Sequence, residues 1–111
     1  MSLLNTTLYH EIESGAYMAK VISFNEIIPE NSKQQSYVAV VMKIDGTVVT
    51  ERWFASRLPY IMKCLRKQFH MEYVDVTLLD LLNTAMEHDI AVTVEYSSQY
   101  GRQINYIDEA Q

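Results

Sequence analysis

Hydrophobic and polar residues alternate along three stretches in the first half of the chain, a pattern typical of half-buried β-strands. The stretches span residues 16–24, 36–44 and 47–55, and they are rich in β-branched and aromatic residues. A polar segment at residues 29–35 separates the first two and is predicted to be a loop. Asp45-Gly46 lies between the second and the third, and this dipeptide between apolar runs is the strongest short-range signal for a β-hairpin. The first half therefore predicts three strands.

The spacing of apolar residues changes to a helical period after Pro59. The apolar residues at this spacing are Ile61, Met62, Leu65 and Phe69. They predict a helix over about residues 58–71, with cations filling its other side. A second helix is predicted over about residues 77–88, with Asp75 or Thr77 as its N-cap.

Alternation returns near the end of the chain, at residues 90–97 and 102–107, with a turn around Gly101 between them. Five strands with a helical insertion between the third and the fourth match the layout of an OB-fold, a partly open Greek-key barrel. We therefore expect a mainly β protein with a single OB-fold-like domain over residues 1–111, its barrel spanning about residues 15–108. A small α+β sandwich is the alternative arrangement of the same elements.

The predicted hairpin determines which residues share a face of the sheet. If Asp45-Gly46 is a two-residue turn, Ile44 lies opposite Thr47, and cross-strand partners point to the same side. One face is then mainly aliphatic and is predicted to be core; it holds Val38, Val40, Met42, Ile44, Thr47, Val49, Glu51 and Trp53. The other face is predicted to be exposed; it holds Tyr37, Ala39, Val41, Lys43, Val48, Thr50, Arg52 and Phe54.

The exposed face combines aromatic rings with cations. Bases stack on aromatic side chains while lysine and arginine follow the phosphates, so this combination suits a single strand of nucleic acid. Glu51 does not fit the core face, because burying an unpaired carboxylate is costly. A bulge or a three-residue turn would shift the third strand by one position. In that second register Trp53 faces outward and Arg52 and Phe54 face inward, so the sequence leaves the identity of the stacking residue open.

Two further places add candidate contacts. Tyr100 and Arg102 flank Gly101 at the tip of the last hairpin, where a ring has little core to enter, and Arg57 follows the third strand. The predicted nucleic-acid-binding residues are therefore Tyr37, Lys43, Arg52, Trp53, Phe54, Arg57, Tyr100 and Arg102. The cations of the first helix, predicted to be its solvated side, are Lys63, Arg66 and Lys67. For Lys20, on the first predicted strand, the sequence leaves both roles open: a contact to phosphate or a solvated surface cation.

The charge of the whole chain argues against nucleic acid, but its distribution does not. Nine Lys and Arg against fourteen Asp and Glu give a net charge of −5, whereas nucleic-acid-binding domains are usually basic. Residues 31–70, which build the second and third strands and the first helix, nevertheless carry a net charge of +5. The flanking segments carry −3 and −7. A basic middle between acidic ends is compatible with local contacts to phosphates.

No motif for catalysis or metal binding stands out. Three glycines are too few for most phosphate-cradling loops, and no strand–turn–helix serine motif is present. His10, His70 and His88 are far apart, and Cys64 does not complete a zinc set with them. We therefore expect neither an enzyme nor a bound metal or cofactor. A lone cysteine and the lack of a run long enough to cross a bilayer favour a cytoplasmic protein without membrane contact.

Several short segments carry a resemblance to a known family. They are Gly15-x-Tyr17-x-Ala19-x-Val21, the strand from Tyr37 to Ile44 followed by Asp45-Gly46, Trp53-Phe54 before a helix, Ile90-x-Val92-x-Val94, and Gly101-Arg102-x-Ile104-Asn105-x-Ile107. Over residues 15–108 the chain resembles the OB-fold single-stranded-DNA-binding proteins carried by bacteriophages and integrative elements of low-GC Gram-positive bacteria. The resemblance implies sequence-tolerant binding of single-stranded DNA in replication or recombination of a phage or mobile element. It also implies a homo-oligomer, with replication or recombination proteins as partners.

A protein-interaction module on the same fold is the competing expectation. An acidic face on the second predicted helix and an aromatic groove would suit a protein partner or an oligomer contact without any binding of nucleic acid. A continuous positive groove over the second and third strands favours DNA, whereas scattered cations favour the protein partner.

Overall fold

The computed structural model describes residues 12–31, 33–72 and 75–108. Within these ranges the strands are β1 (Gly15–Ile27), β2 (Tyr37–Ile44), β3 (Thr47–Phe54), β4 (Ile90–Ser97) and β5 (Gly101–Tyr106). They form one antiparallel sheet in the order β3-β2-β1-β4-β5. The five predicted strands are confirmed, except that β1 continues to Ile27 rather than ending at Phe24. The mainly β class of the fold is therefore confirmed.

Two helices lie between β3 and β4, as predicted. After a 3₁₀ turn at Ala55–Arg57, they are α1 (Leu58–Gln68) and α2 (Leu78–Glu87). α1 ends before the predicted residue 71, and His70 adopts a left-handed φ of 57° just beyond it. Thr77 is the N-cap of α2, where it forms a reciprocal capping box with Asp80. No helix in the described ranges is long and apolar enough to span a bilayer.

The β2–β3 hairpin adopts the first of the two predicted registers. Ile44 pairs with Thr47 and Tyr37 pairs with Phe54, so the turn between the strands contains only Asp45 and Gly46. Both turn residues have positive φ angles, 50° and 82°, which are typical of a type I′ turn and which match the right-handed twist of the strands. The predicted division of β2 and β3 into a core face and an outer face is therefore confirmed, and the shifted register is wrong.

The core lies between the inner face of the sheet and the apolar sides of the two helices. From β2 and β3 it contains Val38, Val40, Met42, Ile44, Val49 and Trp53. From the helices it contains Ile61, Cys64, Leu65, Leu81, Leu82 and Ala85. α2 packs on β1, which lies at the centre of the sheet. This packing covers the inner face of the sheet, and no helix or strand within the described ranges covers the outer face of β1, β2 and β3.

The two edge strands, β3 and β5, meet through side chains. The indole Nε1 of Trp53 donates a hydrogen bond of 2.6 Å to the hydroxyl of Tyr106, and the two rings pack edge to face with centroids 5.3 Å apart. Glu51 and Arg102 make a second contact between the same strands. We call these four residues the β3–β5 seam. In the described residues no backbone ladder joins β3 to β5, so the sheet is not closed, and the barrel and the OB-fold stay predictions.

Candidate nucleic-acid interface

Two aromatic rings and an arginine form a cluster on the outer face of β2 and β3. The rings of Tyr37 and Phe54, which are direct cross-strand partners, have centroids 5.3 Å apart and are tilted by 54°. The guanidinium carbon of Arg52 lies 5.4 Å from the centroid of the Tyr37 ring. Arg52 is exposed and both rings are half-buried, so each ring keeps an accessible surface. We call these residues the aromatic–arginine cluster; the structure brings together three of the eight predicted site residues here.

A groove borders this cluster on the side of the β1–β2 loop. It has a volume of about 380 Å³ and is lined by Tyr37, Arg52, Phe54, Pro29, Lys33, Gln34 and Gln35. The loop is tied to the 3₁₀ turn after β3, because the side-chain carbonyl of Gln35 accepts a hydrogen bond of 3.1 Å from the backbone N–H of Ser56. Lys33 adds an exposed cation that the sequence reasoning missed.

A pair of lysines lies at the other end of the same outer face. Lys43 on β2 is the direct cross-strand partner of Lys20 on β1, and both are exposed. Within the described ranges neither has a carboxylate within ion-pair distance. Like charges directly opposite each other are destabilising, so a bound anion would relieve their repulsion. The β1–β2 register thus places Lys20, whose role the sequence left open, beside the predicted contact residue Lys43.

Small and uncharged side chains connect the lysine pair to the aromatic–arginine cluster. Tyr37 and Lys43 lie six positions apart on β2, which corresponds to about 20 Å along the strand. Ala39 and Val41 lie between them on the same face, and Thr50 is the β3 partner of Val41. The outer face thus has aromatic rings at one end, two lysines at the other, and small uncharged side chains between them.

Trp53 requires a correction, because it is a core residue and not part of the exposed face. Its side chain is 1% exposed, and its N–H is bonded to Tyr106 at the β3–β5 seam. The physical reason is the two-residue turn, which directs Trp53 to the same side of the hairpin as Val38. A base cannot stack on this ring without unpacking the core.

Arg102, another of the predicted contact residues, has an ion-pair partner within the folded chain. It shares the inner side of the sheet with Ile104 and Tyr106, where its guanidinium forms an ion pair of 3.4 Å with Glu51. The side chains of Arg102 and Glu51 are only 34% and 20% exposed. This contact explains how Glu51 is accommodated on the core face, and it engages Arg102 in neutralising a carboxylate instead of a phosphate. Burial raises the pKa of Glu51, and the attraction of Arg102 opposes that rise.

Replacing Glu51 by glutamine is expected to remove a pH dependence of stability. Because the pKa of Glu51 in the folded protein lies above its ordinary value of 4.5, the native state holds the proton more tightly than the unfolded chain does. The stability contributed by this group is therefore greatest at low pH and is lost as pH rises through the folded pKa. Urea denaturation from about pH 4 to about pH 7 should show the wild type losing stability relative to Glu51→Gln. A constant difference between the two proteins would contradict a raised pKa.

The remaining candidates lie outside the aromatic–arginine cluster. Arg57, in the 3₁₀ turn after β3, is exposed and places its guanidinium carbon 5.9 Å from the centroid of the Tyr60 ring. Tyr100 is 70% exposed at the tip of the β4–β5 hairpin, as predicted, and its backbone N–H donates to the hydroxyl of Ser97. Among the described residues, no hydrogen bond, ion pair or ring contact joins Arg57 or Tyr100 to the cluster.

The cations of α1 are occupied by contacts within the protein. Lys63 and Lys67 lie 4.0 and 3.3 Å from the carboxylate of Asp108, and Arg66 donates to the backbone carbonyl of Glu72. Lys63 is exposed, as predicted for the solvated side of the helix, whereas Arg66 and Lys67 are half-buried. Within the described ranges no group of three His, Cys, Asp or Glu residues is placed to hold a metal ion.

No protein-family model, curated protein or solved structure matches this chain. The resemblance to phage and mobile-element proteins noted in the sequence therefore stays a prediction.

Proposed function

We propose that this protein binds single-stranded DNA, with little dependence on sequence, across the outer face of β1, β2 and β3. The observation that carries the proposal is the pairing of Tyr37 and Phe54 beside Arg52 on an exposed sheet surface. Aromatic rings stack on any base, at about 1–3 kcal/mol per base, and arginine adds a cation–π contribution. Stacking of this kind requires unpaired bases, so a single strand suits the surface better than a duplex does.

The lysine pair supports a path for the phosphates. Lys20 and Lys43 are unpaired in the described residues and lie about 20 Å from the rings along β2. A strand that stacks on Tyr37 and Phe54 would carry its backbone over Ala39 and Val41 toward the two cations. Because the whole chain carries −5, long-range attraction to DNA is weak and these local cations dominate the electrostatics. We therefore expect binding that is strongly sensitive to salt.

The proposal extends to the fold of the protein, its cellular compartment and the process in which it acts. We infer an OB-fold-like barrel in which β3 and β5 are joined by the side chains of the β3–β5 seam instead of a backbone ladder. Such barrels are partly open and bind oligonucleotides over their second and third strands. We infer further a non-catalytic, cytoplasmic protein that acts in replication or recombination of a phage or mobile element. The unpaired, buried Cys64 is compatible with a reducing compartment.

Titration of a labelled oligo-dT with the protein over a range of salt concentrations tests this function. Single strands release about 0.7 counterions per neutralised phosphate, so the double variant Lys20→Gln, Lys43→Gln should reduce the slope of log K against log salt by about 1.4. The matched control is Lys63→Gln with Lys67→Gln, which removes the same charge from α1 and should leave the slope nearly unchanged. If the two double variants change the slope equally, the salt dependence reflects the net charge of the protein and not a path for the phosphates over the sheet. Failure to bind oligo-dT at low salt would refute the function itself.

A further inference from the structure

An apolar groove lies where the end of β1 and the beginning of β2 meet the first turns of the two helices. It has a volume of about 620 Å³, which is within the range of small-ligand sites. Its larger apolar lining residues are Phe24, Val38, Leu58, Leu78, Leu79 and Leu82. Leu79 is 56% exposed, and Phe24 and Leu58 are half-buried, so the groove presents apolar surface to solvent.

The apolar groove adjoins the groove beside the aromatic–arginine cluster. Tyr37 lines both of them, and it is also the ring that contacts Phe54 and Arg52. Ser36 and Ala55 line the apolar groove as well, and a backbone hydrogen bond of 3.1 Å joins them directly beyond the Tyr37–Phe54 pair. The apolar groove therefore lies next to the proposed DNA surface, at the open end of the β2–β3 hairpin.

The two adjoining grooves differ in charge. Among the described residues, the groove beside the cluster is lined by two cations, Lys33 and Arg52, and by no carboxylate. The apolar groove is lined by one carboxylate, that of Glu26, and by no cation among the same residues. A phosphate is attracted to the first groove and repelled by the second, whereas an uncharged base meets no such repulsion. The charges thus favour the DNA backbone in one groove and a base in the other.

The polar residues of the apolar groove favour one particular base. Glu26 is the cross-strand partner of Val38, a core residue, so its carboxylate lies on the same side of the sheet as the apolar lining. An ionised carboxylate accepts hydrogen bonds only, and the hydroxyl of Ser36 can donate one. Guanine presents two neighbouring donors, N1–H and N2–H, beside the acceptor O6. Thymine has one N–H between two carbonyl oxygens, and adenine and cytosine have only an amino group, so guanine fits this lining best.

We propose that the apolar groove holds one guanine base of a bound single strand. Glu26 accepts hydrogen bonds from guanine N1–H and N2–H, and Leu79 packs against the ring. This inference rests on the proposed function, because the rest of the strand lies over the aromatic–arginine cluster. It adds a preference at one nucleotide to a surface on which any base can stack, so a strand without guanine still binds.

A comparison of a short oligo-dT with the same strand carrying a single central guanine tests the proposal. The guanine should raise affinity about fivefold, the lower end of the range for a bidentate base contact, because Glu26 is exposed. Glu26→Gln should abolish this advantage. The matched control is Glu95→Gln, which removes the same charge from an exposed position on β4 and should retain the advantage. Circular dichroism checks that both variants are folded.

The outcomes separate this inference from the function on which it rests. If neither strand binds, the proposed function fails. If both strands bind with equal affinity, or if the advantage of guanine survives Glu26→Gln, only the guanine site is refuted. An equal gain from a single adenine or cytosine would also refute it, because the groove would then accept bases without reading their hydrogen-bonding edges.

The methyl signals of Leu79 in ¹³C-labelled protein provide a measurement that does not depend on affinity. The strand with guanine should shift them through the ring current of the base, whereas plain oligo-dT should leave them nearly unchanged. Signals that respond to neither strand would contradict the proposal. So would signals that shift with protein concentration in the absence of DNA, because a second copy of the chain would then occupy the groove.

Discussion

Replacing Trp53 by alanine is expected to lower the free energy of unfolding by about 3–5 kcal/mol, the range for truncating a large buried aromatic side chain. The indole is 1% exposed, contacts the Tyr106 ring edge to face and donates a hydrogen bond to its hydroxyl. The substitution would therefore leave a cavity at the β3–β5 seam and remove a partner of a buried hydroxyl. Urea denaturation followed by circular dichroism is the suitable measurement, because the substitution removes the only tryptophan.

Two comparisons make the Trp53 result decisive. Trp53→Phe keeps most of the packing and loses the hydrogen bond, so it should lower the free energy of unfolding by less than Trp53→Ala does. If the alanine variant is unfolded, the stability of the phenylalanine variant can still be measured. Adding oligo-dT to the wild type should leave the tryptophan emission free of the quenching that stacking produces. A loss below about 0.5 kcal/mol for Trp53→Ala, the usual range of surface substitutions, would mean that the residue is not in the core.

Replacing Tyr37 by alanine is expected to weaken binding of oligo-dT roughly five- to 150-fold, which corresponds to the roughly 1–3 kcal/mol of one stacked base. Tyr37 contacts both Phe54 and Arg52, so its loss removes a stacking surface and the cation–π contact at once. Fluorescence anisotropy of a labelled oligo-dT measures the change.

The control for this prediction is Tyr37→Phe. It keeps the ring and removes the hydroxyl, so it should bind oligo-dT nearly as tightly as the wild type if the ring face makes the contact. An alanine variant with unchanged affinity, while folded by circular dichroism, would remove the aromatic–arginine cluster from the interface.

The faces of the β2–β3 hairpin could be predicted from the sequence because one local signal determines them. Asp45-Gly46 specifies a two-residue turn, and the turn places Tyr37, Arg52 and Phe54 on one side of the sheet. The helices were likewise predictable from the change of period after Pro59. These features depend on residues that are close together in the chain.

The contacts at the β3–β5 seam could not be predicted in this way. Glu51 and Arg102 are 51 positions apart, and no local spacing encodes their meeting. Without that partner, Glu51 looked misplaced on the core face, and this apparent conflict kept open the register that exposes Trp53. The confirmed register and the ion pair resolve the conflict together.

The lysine pair depends on tertiary structure in the same sense. The pairing of Lys20 with Lys43 follows from the β1–β2 register, which contains an irregularity between Val21 and Ser23. The alternation of residues within a single strand does not predict this pairing.

The central claim is that single-stranded DNA lies on the outer face of β1, β2 and β3, and the backbone amide spectrum of the ¹⁵N-labelled protein tests it most directly. On titration with a short oligo-dT, the largest chemical-shift changes should fall at Tyr37, Arg52 and Phe54 and extend along β2 to Lys43 and across to Lys20. The amides of α1 and α2 should change little. An unchanged spectrum, or changes concentrated on the helices, would contradict the account.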